Sequence, residues 1–206
     1  IIMTHGDDDG LILPPAIAPI QVVIVPIAAH KPGVLEKAKE LAESLKSVAR
    51  VKLDDSDKAP GWKFSQWEMK GVPLRIEVGP RDLEQGQCVL VRRDNREKQF
   101  VKLEDLPTAI PAALDDLARA LYDRALANRE ARTAAAATLD EVLALTQKQT
   151  GFVKTMWCGE LACEEAMKEK AGLSSRCMPF EQEHISDVCP VCGKPAKTMV
   201  VWGVAY

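Results

Sequence analysis

Five of the six cysteines of this 206-residue chain crowd into its final quarter, and their spacing is that of metal chemistry. Cys158 and Cys163 stand in WCGELACEE, Cys189 and Cys192 in DVCPVCGKP. A Cys-x-x-Cys followed by glycine makes a tight turn that presents two thiolates to one side of an ion. Zinc takes four such ligands in a tetrahedron at about 2.3 Å. Two ordinary buried cysteine pairs, or a thioredoxin-like redox motif at Cys189 and Cys192, leave unexplained why a second close pair arrives in the same short segment. The spacing predicts a four-thiolate zinc site made of Cys158, Cys163, Cys189 and Cys192. A closed sulfur shell leaves no open position for water or substrate, so the metal is expected to be structural, ordering a tail too short for a sufficient core of its own. Cys177 and Cys88 read as core residues. His184, an alternative ligand by its closeness to Cys189, reads as a solvated loop histidine.

The rest of the composition sets bounds. At 22.6 kDa with 47% hydrophobic residues the chain can bury one good core or two small ones. A net charge of -3 excludes a wholly basic nucleic-acid coat but leaves room for a local basic face, because charges act within roughly 8–10 Å. There is no run of eighteen apolar residues and no secretory signal at the start, so the reading is a cytoplasmic protein, with its thiols reduced and no membrane contact.

The elements that must position the cysteines and any basic face follow from periodicity. Residues 1–18 combine an apolar, strand-like start, a Gly-Asp turn and a proline-rich linker. IQVVIVPI has the continuous apolar, β-branched texture of a strand covered on both faces. Val34, Ala38, Leu41, Leu45 and Val48 recur at helical spacing. ARVKLDD and PLRIEVGP alternate as strands, GWKFSQWEMKG suits a short helix, and QCVLVRRDNREKQFVKL reads as two strands around a charged turn. This order predicts an α/β domain over 19–106, three layers with a mixed sheet. Residues 107–150 read as connecting helices, with an apolar stripe at Ile110, Leu114, Leu117, Leu121 and Ala125 and a capping-box spacing at Thr138 and Glu141. TAAAAT within them is a helix-propensity signal. From Gly151 the texture changes to short strands, cysteines and turns, so residues 151–206 are expected to form a small α+β zinc-binding C-terminal domain.

In order along the chain, MTHGDDDGLILPP, APIQVVIVPI, KGVPLRIEVGPRDLEQGQCVLVRRD, GFVKTMWCGELACEE and CPVCGKPAK resemble the C-terminal part of the prolyl-tRNA synthetases, in their archaeal and eukaryotic-type branch. The resemblance implies the end of a class II catalytic domain over 1–18, then an anticodon-binding domain, then a zinc-binding domain. It implies a proline-tRNA ligase that activates L-proline with ATP and Mg2+ and transfers it to the 3′ end of tRNA(Pro). Most of the catalytic domain lies outside these residues, so this portion alone is expected to be inactive, and homodimerisation is expected to run through the missing part. By the same resemblance Thr4 and His5 line the adenylate and proline pocket, and Tyr206 is the natural end.

For anticodon reading, the resemblance directs attention to GVPLRIEVGPRD and VLVRRDNREKQFVK. Proline anticodons share two guanines. Glu77 could accept from a guanine N1–H and N2–H2 edge while Arg81 or Lys102 donates to O6. Arg92, Arg93, Arg96 and Lys98 suit backbone contacts, and no DNA partner is expected. Trp62, Phe64 and Trp67 read as core residues that could otherwise form a stacking platform. Two further readings stand beside this one: a free-standing tRNA- or RNA-binding regulatory module without aminoacylation activity, and a zinc scaffold for another protein.

Overall fold

A computed structural model describes residues 1–148 and 151–204. The chain divides into two compact units, Ile1–Ala125 and Leu126–Tyr206.

The first unit opens with a single helical turn, α1 (Ile2–His5), followed by a bridge between Asp7 and Gly10. The strand-like start expected from its apolar residues is therefore corrected to a helical turn: Ile1, Ile2 and Met3 are exposed and pair with no strand. The segment then runs extended along another part of the unit, with Leu11 N donating to Met69 O and Leu13 N to Gly71 O, both at 3.1 Å. Gly10, at φ +132, and Gly71, at φ +73, permit that approach, because a Cβ on either would overlap the opposing backbone.

β1 (Val22–Pro26), α2 (Val34–Ser44), β2 (Val51–Leu53), α3 (Pro60–Met69), β3 (Leu74–Val78), α4 (Pro80–Glu84), β4 (Gln87–Arg92) and β5 (Lys98–Lys102) follow in order. The sheet order is β2-β1-β3-β4-β5. β1 runs parallel to β2 and β3, while β4 and β5 are antiparallel additions. It is the mixed sheet that the sequence predicts.

Alternation along the strands decides the layers. Val22, Ile24, Leu74, Ile76 and Leu90 share one face and form a core with α2 and with Leu106, Ile110 and Leu114 of α5 (Leu106–Ala131). Val23 and Val25 point the other way, against Phe64 and Trp67 of α3. Burying this much aliphatic surface, at about 25 cal/mol per Å2, is the main force holding the three layers together.

That second face is only half covered. Register places Val25, Glu77, Val89 and Phe100 in one cross-sheet row and Val23, Arg75, Val91 and Lys98 in the next. Helix α3 covers the β1 end, while Phe100 is 70% exposed and Lys98 and Lys102 flank it on the edge strand.

The second unit contains β6 (Thr133–Ala135), α6 (Leu139–Lys148), β7 (Phe152–Trp157), α7 (Leu161–Ala171), β8 (Leu173–Cys177) and β9 (Thr198–Val204), with sheet order β6-β7-β9-β8. The capping box forms: Glu141 N donates to Thr138 Oγ1 at 3.3 Å, and Glu141 Oε2 accepts from Ala137 N at 2.7 Å and Thr138 N at 3.3 Å. It marks a true restart, because part of the alanine-rich segment taken as helical is instead strand β6, parallel to β7. Helix α7, which the short-strand reading of this region missed, buries only Cys163 and Met167, a stripe too narrow to register as amphipathic. Trp202 anchors the core with Val153, Met167, Leu173 and Val200, its indole N–H donating to Thr155 Oγ1 at 2.9 Å.

Candidate metal centre and nucleic-acid interface

Cys158 sits in the turn after β7, where Gly159 takes φ +91, and Cys163 lies in the first turn of α7. Cys189 and Cys192 lie on a loop closed by the Val188–Pro195 bridge. Within it Cys189 N donates to Lys194 O and Gly193 N to Cys189 O, both at 2.9 Å, with Gly193 at φ +70. These two turns bring all four sulfurs within 4.8 Å of one another. Cys158 lies 3.6 Å from both Cys163 and Cys192.

That separation is too long for a disulfide, at about 2.05 Å, and close to the edge of about 3.8 Å in a tetrahedron of sulfurs 2.3 Å from a common centre. All six cysteines are free thiols. Burial pushes the Cys163 and Cys158 thiols up, whereas the backbone N–H of Lys194 holds the exposed Cys192 thiol down at about 7. The donor set and its spacing fit one four-coordinate cation with soft ligands.

The remaining sulfur and imidazole residues stand apart from the cluster. Cys88 is buried in the first core, its thiol pushed up to about 12 by burial, as a core residue should be. Cys177 is exposed on β8, which corrects its reading as core: alternation ends at a register shift between Ser175 and Cys177. His184 is exposed and pairs with Asp187 at 3.3 Å.

On the first unit, Glu77 is nearly enclosed. Its Oε1 accepts from Arg75 Nε at 3.0 Å, with Arg75 Nη2 also 3.0 Å away, while Oε2 has only Lys98 Nζ at 3.7 Å. Arg81 is exposed on α4 directly after β3, and Lys102 is exposed with only Glu104 nearby at 3.9 Å.

The other two arginines of the expected set are engaged internally. Arg92 forks onto Asp94 at 3.0 and 2.8 Å, a contact that holds its guanidinium pKa up. Arg93 is buried, donates from Nη1 and Nη2 to Asp7 at 2.8 and 2.5 Å, and from Nε to Glu68 O at 3.1 Å. The expectation that Arg93 contacts an RNA backbone is thereby corrected, because its donors are spent on holding the N-terminal segment. Arg96, at φ +59 in the hairpin, pairs with Asp9.

Among the aromatics, Phe64 stacks on the Arg75 guanidinium at 4.0 Å and Trp67 donates to Asp54 Oδ2 at 2.7 Å, so both serve the interior. Trp62 is half exposed beside Lys58. Phe100 is the aromatic that the sequence reading passed over. It lies between Lys98 and Lys102 on one face of the exposed edge strand.

Thr4 and His5 lie on the helical turn α1, Thr4 exposed and His5 half buried with its Nδ1 unpaired. Burial, then the charge of Arg124, lowers the His5 pKa. Tyr206 lies outside the described residues.

Residues 21–113 match the anticodon binding domain family, and residues 139–206 match the family described as prolyl-tRNA synthetase, C-terminal. The chain is similar to the C-terminal part of the prolyl-tRNA synthetases. Over all 206 residues it is 60% identical to a proline–tRNA ligase of Clostridium novyi, 59% identical to one of Ruminiclostridium cellulolyticum and 55% identical to a proline–tRNA ligase 2 of Bacillus cereus. In each case the chain spans 43% of the relative's length. The two synthetase domains carry the two candidate sites separately: the open sheet face falls in the anticodon-binding match and the four cysteines in the C-terminal match. No helix among the described residues is long and apolar enough to cross a membrane.

Proposed function

We propose that the chain is the tRNA-reading portion of a cytoplasmic proline-tRNA ligase, and that its first unit binds the guanines of a proline anticodon on the uncovered half of the sheet. The observation that carries this reading is the uncovered part of the sheet face within an anticodon binding domain, where Phe100, Lys98 and Lys102 are exposed on edge strand β5 and Lys98 comes within 3.7 Å of the largely enclosed Glu77 of β3. An unstacked base can lie on the Phe100 ring, a contact worth about 1–3 kcal/mol. Oε2 of Glu77, whose contact with Lys98 is a loose 3.7 Å, accepts from guanine N1–H and N2–H2, and the exposed cations of Arg81 and Lys102 serve O6 or the adjoining phosphates. Lys98, displaced from its 3.7 Å approach to Glu77, becomes a further phosphate partner.

In the whole protein, L-proline is activated with ATP and Mg2+ and transferred to tRNA(Pro), with homodimerisation through the part outside these residues. Thr4 and His5 contribute to that pocket from its edge. Adenylate formation needs metal and cationic groups that offset charge on the reacting phosphoryl centre, and these are expected in the part of the protein outside these residues. The 206-residue chain is therefore expected to bind RNA and to catalyse no ATP–pyrophosphate exchange.

The four cysteines of the second unit would hold zinc, which supplies a cross-link between the β7–α7 turn and the loop before β9. The test pairs two assays on the chain: binding to tRNA(Pro) against a tRNA without anticodon guanines, and ATP–pyrophosphate exchange. Selective binding without exchange is expected, and exchange by the chain alone would overturn the division of labour.

A further inference from the structure

Resting on that reading of the sheet face, we propose that Arg75 is a positioning residue for guanine recognition: it fixes which oxygen of Glu77 is offered to the base. Arg75 is buried on β3 and held from three sides. Its Nη1 donates to Glu68 Oε1 at 2.6 Å, and Phe64 stacks on its guanidinium at 4.0 Å. In the row across the sheet it lies between Val23 and Val91, so the plane of the fork has apolar neighbours and little room to turn.

Nε and Nη2 both point at a single oxygen, Glu77 Oε1, at 3.0 Å each. Nε makes the hydrogen bond and Nη2 adds a close ion-pair contact, so Oε1 is the oxygen turned toward Arg75. The carboxylate is thereby locked in rotation, and Oε2 is left with Lys98 at 3.7 Å, beyond hydrogen-bond reach, as its neighbour. Lys98 is on the edge strand and 57% exposed, so it can swing away. A fixed oxygen with two open lone pairs accepts both N1–H and N2–H2 of guanine. It meets an acceptor, not a donor, at N1 of adenine, and finds one donor missing in inosine. A lysine at position 75 would keep the charge but not the planar fork, leaving the Glu77 carboxylate free to rotate.

The test is fluorescence anisotropy of the 206-residue chain with a hairpin RNA carrying two consecutive loop guanines, and with the same hairpin carrying inosines. The wild-type chain is expected to prefer guanine about ten-fold, the effect of one hydrogen bond to a charged group. In Arg75→Lys the preference should fall to about two-fold while affinity for the inosine hairpin stays near that of the wild type. Should Arg75→Lys fail to fold by circular dichroism, Glu68→Gln carries the test, because it loosens the fork from a partly exposed position and should give an intermediate ratio. A folded variant that keeps the full wild-type ratio would overturn the role of Arg75. A wild-type chain that binds both hairpins equally, or neither, would instead overturn the reading of the face, and leave Arg75 nothing to position.

Discussion

Arg93 and Asp7, 86 residues apart in sequence, meet in a two-pronged ion pair at 2.8 and 2.5 Å, with Arg93 buried and Asp7 partly exposed. The pair ties the start of the chain to the β4–β5 hairpin, beside the backbone bonds of Leu11 and Leu13. Its strength comes from the fixed fork of the guanidinium, whose third donor is also satisfied by Glu68 O.

Removing Asp7 leaves a buried guanidinium with two unmet donors. Asp7→Ala is expected to cost about 2 kcal/mol, less than the 3–5 kcal/mol of a fully buried pair because Asp7 is partly exposed. Urea unfolding of the first unit's transition checks this, and an unchanged midpoint would contradict it.

The hydrogen bond from Arg93 holds the Asp7 carboxyl below its ordinary range. A carboxyl whose folded value is depressed contributes stability that is complete above its unfolded value, about 4, and is lost as pH falls through the folded value. The wild type should therefore lose stability between about pH 5 and pH 2 more steeply than Asp7→Asn. Parallel curves for the two proteins would remove Asp7 from the acid transition.

For the cysteine cluster, the expected content is about one zinc per chain by elemental analysis. Cys163→Ser or Cys189→Ser should retain less than about a tenth of it after dialysis, since each removes one ligand of a four-sulfur set. Chelator treatment should collapse amide protection in residues 151–204 and spare the first unit. Wild-type metal content in either variant would contradict the assignment.

Phe100→Ala should leave stability within about 0.5 kcal/mol, because the ring is exposed, and weaken RNA binding by about 1–3 kcal/mol, with Phe100→Trp restoring it. Lys102→Ala should reduce the salt slope of binding by about one, as loss of one phosphate contact does. Arg93→Lys should leave that slope unchanged and act on stability alone. A lowered slope in Arg93→Lys would return that residue to the RNA surface.

Much of this was legible in the residues. The aliphatic alternation of β1 and β3, the stripe of α5 and the Cys-x-x-Cys turn are local patterns set by backbone period, and a single chain displays them. What escaped was tertiary. Nothing near Arg93 in sequence distinguishes it from Arg92 or Arg96, and only the return of Asp7 across 86 positions decides that it is interior. Phe100 sits in an alternating strand that normally buries its aromatic, and its exposure depends on α3 stopping short of the β5 edge. Thr133–Ala135 has the composition of a helix yet joins β7 as a strand, because pairing with Phe152–Lys154 outweighs a small propensity difference. Helix α7 was missed for the opposite reason, its strong helix formers overshadowed by the cysteines around them.

The most direct measurement is an amide chemical-shift titration of the chain with a hairpin RNA bearing two consecutive loop guanines. The account predicts saturable, salt-sensitive shifts concentrated at Glu77, Arg81 and residues 98–102, which vanish when the guanines are replaced by adenines. Shifts confined to other surfaces, or equal for both hairpins, would contradict it.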